Sequence, residues 1–157
     1  MKITNTTNIP NEKIREFIKL VKPSGISNFD VTIKNYKYTG IRGVAYPYHL
    51  GSSYHRSNKP FIIVSVQKGE DGYPRKRIGR KGYLTYTLLT KDEAILHVIA
   101  HELRHLWQKV HPKGYRVWGA RGKFSERDAD AYALRKVREY RKTTPSIEPK
   151  FNMVEIN

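Results

Sequence analysis

Two short stretches constrain what this chain can fold into. His101-Glu102-Leu103-Arg104-His105 is an HExxH pentad inside a segment, Lys91 to about Val110, that reads as a strong helix. At 3.6 residues per turn, its two imidazoles fall on one helical face. Two imidazoles so placed can bind one Zn²⁺, with Glu102 beside them as a general base. The second stretch is Glu126-Arg127-Asp128-Ala129-Asp130, which begins another helical segment running to about Arg141. A zinc site with two His ligands needs a third protein ligand and an open fourth position. Glu126 can be that ligand, and Asp130, one turn on, can accept the N–H of a ligating imidazole. The fold must therefore bring two helices together, and Ala129 and Ala133 on the second would let them approach closely.

Each of these residues has a plainer reading. His101 and His105 could be two helix-surface histidines. Glu126 could be a first-turn residue favoured by the helix dipole after an N-cap Ser125. Asp130 could form an ordinary salt bridge. Asp128, two residues from Glu126, is expected to face solvent. His97, one turn before His101, reads as a partly buried neighbour rather than an alternative ligand or a support for one. Trp107 and Tyr132 read as core.

The set His101, Glu102, His105, Glu126 and Asp130 resembles the gluzincin branch of the zincin metallopeptidases. The spacing from His105 to Glu126 is similar to that family's. Glu126-x-x-Ala129-Asp130-x-Tyr132-Ala133 also resembles the small ImmA/IrrE-type and SprT-like peptidases, and the short chain suits minigluzincins. The motif resemblance covers about residues 90 to 141. It implies one zinc ion per chain, held by His101, His105 and Glu126. It implies hydrolysis of peptide or protein substrates by a metal-activated water, with Glu102 as base. The family often adds a Tyr or His that steadies the developing oxyanion; Tyr115 and His111 are the candidates here. Substrate main chain would add to an edge strand, Phe61–Val66 or Tyr83–Leu88.

At 157 residues the chain suits one domain with a genuine core. The order of elements is helix, three or four strands, helix, helix, which predicts an α+β zincin-like domain over residues 1–142 and a tail over 143–157. Ile14, Phe17, Ile18 and Val21 mark the first helix, stopped by Pro23-Ser24-Gly25. Phe29, Val31 and Ile33 alternate with polar residues as a half-buried strand. Ile41–Tyr46 is a second strand weakened by Gly43, Phe61–Val66 a third and Tyr83–Leu88 a fourth. His49–Pro60 reads as a loop. Thr90-Lys91-Asp92-Glu93 fits a capping box for the motif helix.

No apolar run approaches a membrane span, and the start lacks a signal-peptide core, so an intracellular site is expected. With no Cys, disulfides and Cys-ligated zinc are excluded. Thirty Lys+Arg against 14 Asp+Glu give a net charge of +16. Such a charge attracts polyanions. Arg75, Lys76, Arg77, Arg80 and Lys81 form a candidate segment for sequence-independent phosphate contact, expected on a hairpin arm away from the zinc helices. A merely soluble basic surface is the equal alternative. Three functional classes stay open: a zinc endopeptidase, a nucleic-acid-associated protease, and a non-catalytic zincin module. The intact Glu102, with only three protein ligands in view, argues against the last.

Overall fold

A computed structural model describes residues 1–46, 59–78, 84–110 and 123–144. Its elements are β1 (Ile3–Asn5), α1 (Asn11–Val21), β2 (Asp30–Tyr36), β3 (Ile41–Tyr46), β4 (Phe61–Gln67), β5 (Arg75–Ile78), β6 (Thr85–Leu88), α2 (Lys91–Val110) and α3 (Lys123–Lys142). Four strands form a mixed sheet in the order β1-β2-β4-β3, and β5 and β6 form a separate antiparallel pair. The architecture is α+β, as expected.

The expected face of α1 is buried: Ile14, Phe17, Ile18 and Val21 pack inward. β1, which its Thr- and Asn-rich sequence conceals, pairs in parallel with β2, Ile3 opposite Val31. That pairing also explains Asp30, which the alternation would place in solvent. Asp30 is buried and accepts a hydrogen bond from the Lys2 backbone N–H at 2.9 Å. Val31 and Ile33 of β2 join Ile62, Val64 and Val66 of β4 in the core.

β4 is an interior strand, paired on one side with β2 and on the other with β3. Its buried, nearly continuous apolar run follows from that position. Phe61–Val66 therefore offers no free edge to a substrate; the sheet edge beside α2 is β3. The residues expected as a fourth strand of the main sheet pair instead with β5, Arg77 opposite Tyr86. Residues 47–58, most of the expected loop, lie outside the described residues, as do Tyr83 and the tail from residue 145.

α2 is the central element. Ile95, Leu96, Ile99, Ala100 and Leu103 are fully or almost fully buried. Its start is capped by Thr90, whose hydroxyl accepts from the Glu93 N–H at 3.2 Å. The Glu93 carboxylate departs from the capping-box pattern. It accepts from the Leu89 N–H and from both Nε and Nη2 of Arg141, at 2.8, 2.9 and 2.8 Å. This bidentate pair joins the beginning of α2 to the end of α3, and the fully buried Glu93 charge has its cation supplied by a distant element. α3 begins at Lys123, so Ser125 lies inside the helix and Glu126 in its first turn. Ala129, Ala133 and Val137 are fully buried, and α3 packs more extensively on α2 than on α1. No helix among the described residues is long and apolar enough to cross a membrane.

Gly43, which weakens β3 as a sequence signal, has a packing role. A Cβ there would stand 2.5 Å from Val98 Cγ1, 2.6 Å from Glu102 Cγ and 2.9 Å from Glu102 Oε1. The missing side chain lets α2 lie directly on the edge strand and brings the Glu102 carboxylate against it. Gly43→Ala is expected to cost about 1–3 kcal/mol through overpacking. It should also displace Glu102. Denaturant unfolding and a comparison of both proteins by crystallography would check this; an Ala variant of unchanged stability and unchanged Glu102 position would contradict it.

Candidate metal centre

Helical spacing places His101 and His105 on the same face of α2, and both are buried. Glu126 comes from the first turn of α3. Their metal-facing atoms converge. His101 Nε2 is 3.1 Å from His105 Nε2 and 2.9 Å from Glu126 Oε2, and His105 Nε2 is 3.2 Å from Glu126 Oε1. Donors bound tetrahedrally to one zinc ion at its usual bond lengths stand roughly 3.3 Å apart. The three side chains form a group that can hold a metal ion. Of the expected site residues, His101, His105, Glu126, Glu102 and Asp130 are all brought together.

The other ring nitrogens are held as well. His101 Nδ1 stands 2.9 Å from Asp130 Oδ1, the spacing at which an imidazole N–H meets a carboxylate. Both atoms are buried, and neither has another hydrogen-bond partner among the described residues. For His105 the support comes from residues that the sequence left aside. Its Nδ1–H donates to Gln108 Oε1 at 2.8 Å. Gln108 Nε2 in turn donates to Asp128 Oδ2 at 3.0 Å. Asp128 also accepts from Arg104 Nε at 2.7 Å and Nη2 at 3.1 Å. Because a carboxylate can only accept here, the amide orientation follows, and the Gln108 oxygen is left to face His105. The chain Arg104–Asp128–Gln108–His105 thus holds Nδ1 and turns the other ring nitrogen, Nε2, toward His101 and Glu126.

Asp128 is therefore not the solvent-facing residue that its spacing from Glu126 suggested. Burial pushes its carboxyl up, but the Gln108 and Arg104 bonds and the Arg104 charge outweigh this and hold it below the usual range. The Arg104 guanidinium also covers the Trp107 ring, 3.6 Å from its centroid. Gln108 had a legible signal: it lies three residues after His105, on the same helical face. Asp128 had none, because its partners belong to another helix.

Electrostatics follow the geometry. Burial alone would push His101 down from its ordinary 6.5. Hydrogen bonds to Asp130 and Glu126, with the Glu102 and Asp130 charges, reverse this and raise it to about 10. Burial pushes Glu126 up, but bonds from both imidazoles and their charges hold it well below the usual carboxylate range. Glu102 has no hydrogen bond or salt bridge among the described residues. Burial raises its pKa, opposed by His101, His105 and Arg77 and reinforced by Glu126.

His97 is fully buried, its ring 6.2 Å from that of His101, and its Nε2 is hydrogen-bonded to the Tyr86 hydroxyl. Burial and the positive charges of His101 and Arg77 hold it well below its ordinary value, so it is neutral. It is a neighbour of the metal group and not a member of it. Tyr132 is core, as expected, with its hydroxyl donating to the Val21 carbonyl. Tyr115 and His111 lie outside the described residues, as do Arg80 and Lys81.

The basic segment is not a uniform arm away from the helices. Strand alternation divides it. Arg75 and Arg77 share the face of Tyr86 and Leu88, while Lys76 lies on the opposite face with Ile78. Arg75 is turned back onto the Tyr73 ring, 5.3 Å from its centroid. Arg77 Nη2 lies 3.9 Å from Asp130 Oδ1, beside the metal group. The chain matches no protein-family model, no curated protein and no solved structure.

Two outcomes test the centre. Metal must displace a proton from His101 at neutral pH, so affinity should rise up to about tenfold per pH unit below about 10. In the metal-free chain the sign is opposite: the raised His101 stabilises the fold fully below 6.5 and loses that effect as the pH rises through about 10. Titration calorimetry in buffers of different ionisation enthalpy should register proton release on metal binding; none would contradict the assignment. Gln108→Leu, which removes the partner of His105, should weaken metal binding about 10–100-fold. Unchanged affinity in that variant would mean the Gln108 chain does not support the ligand.

Proposed function

We propose that this protein is a zinc-dependent metallopeptidase of gluzincin type. The observation that carries the reading is the convergence of His101, His105 and Glu126 beside a buried carboxylate, Glu102, that has no hydrogen-bond partner among the described residues. Zinc suits the donor set, two imidazoles and a carboxylate with no thiolate, and when bound supplies Lewis-acid activation of water and of the scissile carbonyl.

The rest of the chemistry belongs to the chain. Glu102 takes the proton of the attacking water and delivers it to the leaving amine. Its raised pKa suits both halves of that task, since a carboxyl nearer neutrality accepts and returns a proton more evenly. Gly43 lets Glu102 lie against β3, so a substrate strand paired along the β3 edge would pass close to the base. That edge takes the place of Phe61–Val66, which is an interior strand. Asp130 and Gln108 keep the imidazoles in register, so the base and the ligands hold one geometry through turnover.

Of the rival readings, a non-catalytic zinc module gives no role to Glu102. A nucleic-acid-associated protease draws only on net charge. Glu102→Gln should retain metal and fold and lose hydrolysis by about 10²–10⁴-fold or more, because the amide cannot accept the proton. Cleavage of an unfolded protein by the zinc-loaded chain and by this variant is the test. Equal activity in the two would overturn the mechanism, and no cleavage by the wild type would favour the non-catalytic module.

A further inference from the structure

Arg77 reaches the metal centre from an element that supplies none of its ligands. It stands on β5 opposite Tyr86, and the face they share looks onto α2 and α3. The other polar groups of that face are occupied. The Tyr86 hydroxyl is bonded to His97. The Arg75 guanidinium is folded over Tyr73, and its Nη1 and Nη2 lie where a side chain at Gly40 or Gly72 would be. Arg77 differs. Its nearest carboxylate among the described residues, Asp130, is 3.9 Å away, beyond hydrogen-bond reach, and its side chain is 46 % exposed. Its charge nonetheless acts on both Glu102 and His97.

A guanidinium presents five N–H donors in a planar fork that matches a carboxylate bidentately. Here that fork makes no hydrogen bond among the described residues, although it stands beside Asp130, the support of a metal-group imidazole, and its charge is felt at Glu102. Asp130 keeps it there by charge without using its donors. In a peptide, the group that complements such a fork is a carboxylate, either at the C-terminus or on an Asp or Glu side chain. Its negative charge would otherwise meet those of Glu102, Glu126 and Asp130, and Arg77 is the cation placed to offset them.

We propose that Arg77 anchors a substrate carboxylate next to the reacting centre, so that the site selects acidic or C-terminal peptide substrates over neutral internal ones. This rests on the peptidase reading above. Arg77 acts on specificity, and the metal group does not depend on it.

The test uses the zinc-loaded full chain carrying Glu102→Gln, which binds without turning over, and three labelled peptides of one sequence: the free acid, the C-terminal amide, and an amide with one internal Asn changed to Asp. Fluorescence anisotropy should give at least one carboxylate peptide an affinity about tenfold or more above the plain amide. Which of the two gains identifies the source of the carboxylate. Adding Arg77→Gln should abolish the difference, Arg77→Lys should restore part of it, and zinc stoichiometry should not change. Equal binding of all three peptides would overturn the anchor. So would an Arg77→Gln variant that loses zinc or weakens all three peptides alike, which would mean that Arg77 only positions Asp130. Cleavage assays with Glu102 intact separate the two readings. Equal cleavage of the three peptides overturns the anchor and leaves the peptidase; carboxylate-dependent binding with no cleavage of any overturns the peptidase and with it the substrate role of Arg77.

Discussion

Three side chains from two helices can hold one metal ion only if they meet within about one tetrahedral edge of each other, and much of the structure serves that convergence. The spacing along α2 supplies two of the three without help. The third depends on how closely α3 approaches. Ala129 and Ala133, both fully buried, remove the side-chain bulk that would hold the helices apart. On its other side α2 lies against β3 because Gly43 has no Cβ to obstruct Val98 and Glu102. Small residues on two different elements thus set the position of the helix that carries His101, Glu102 and His105.

Close packing of this kind buries or half-buries charge, and carboxylates here find cations on distant parts of the chain. Glu93 takes Arg141, forty-eight residues away. Asp128 takes Arg104. Asp130 faces His101 and, farther off, Arg77. Breaking the Glu93–Arg141 pair would strand a charge in a low-dielectric interior, typically at several kcal/mol, so that contact also specifies how α2 and α3 dock. Glu102 is the exception: among the described residues its buried carboxylate has no hydrogen bond or salt bridge, and burial raises its pKa.

The two sides of the metal group differ in how they are supported. His101 is held directly by a carboxylate on α3, four residues beyond Glu126. His105 is held through an amide, Gln108, whose orientation is dictated by Asp128. The α3 backbone therefore governs both imidazoles: Glu126, Asp128 and Asp130, within little more than one turn of α3, meet His101, His105, Arg104 and Gln108 on α2. The β5–β6 pair approaches from the outside and adds Tyr86 and Arg77, which reach His97 and Asp130.

Local periodicity was sufficient to place α1, α2 and most of α3, since i, i+3 and i+4 relations are intrinsic to a helix. For the same reason His101, Glu102, His105, Glu126 and Asp130 were legible as one set. The chain's own order of residues does not state which strand lies between which. Phe61–Val66 reads equally as an interior or an edge strand, and only the pairing of β4 with β2 and β3 decides it. β1 is not legible because three residues are too short a run to show alternation, and they become a strand through a partner 28 positions away. Asp128 looked solvent-facing because helical geometry gives its direction on α3 but not what stands there. Arg77 looked like part of a basic run because charge counts ignore the alternation of a strand and the docking of a hairpin. The sequence by itself determined the donors and their spacing along each helix, which are local properties. Which side chains hold those donors in register, and which cation faces them, was decided by the packing of α2 against β3 and α3, because those contacts join residues that no local rule relates.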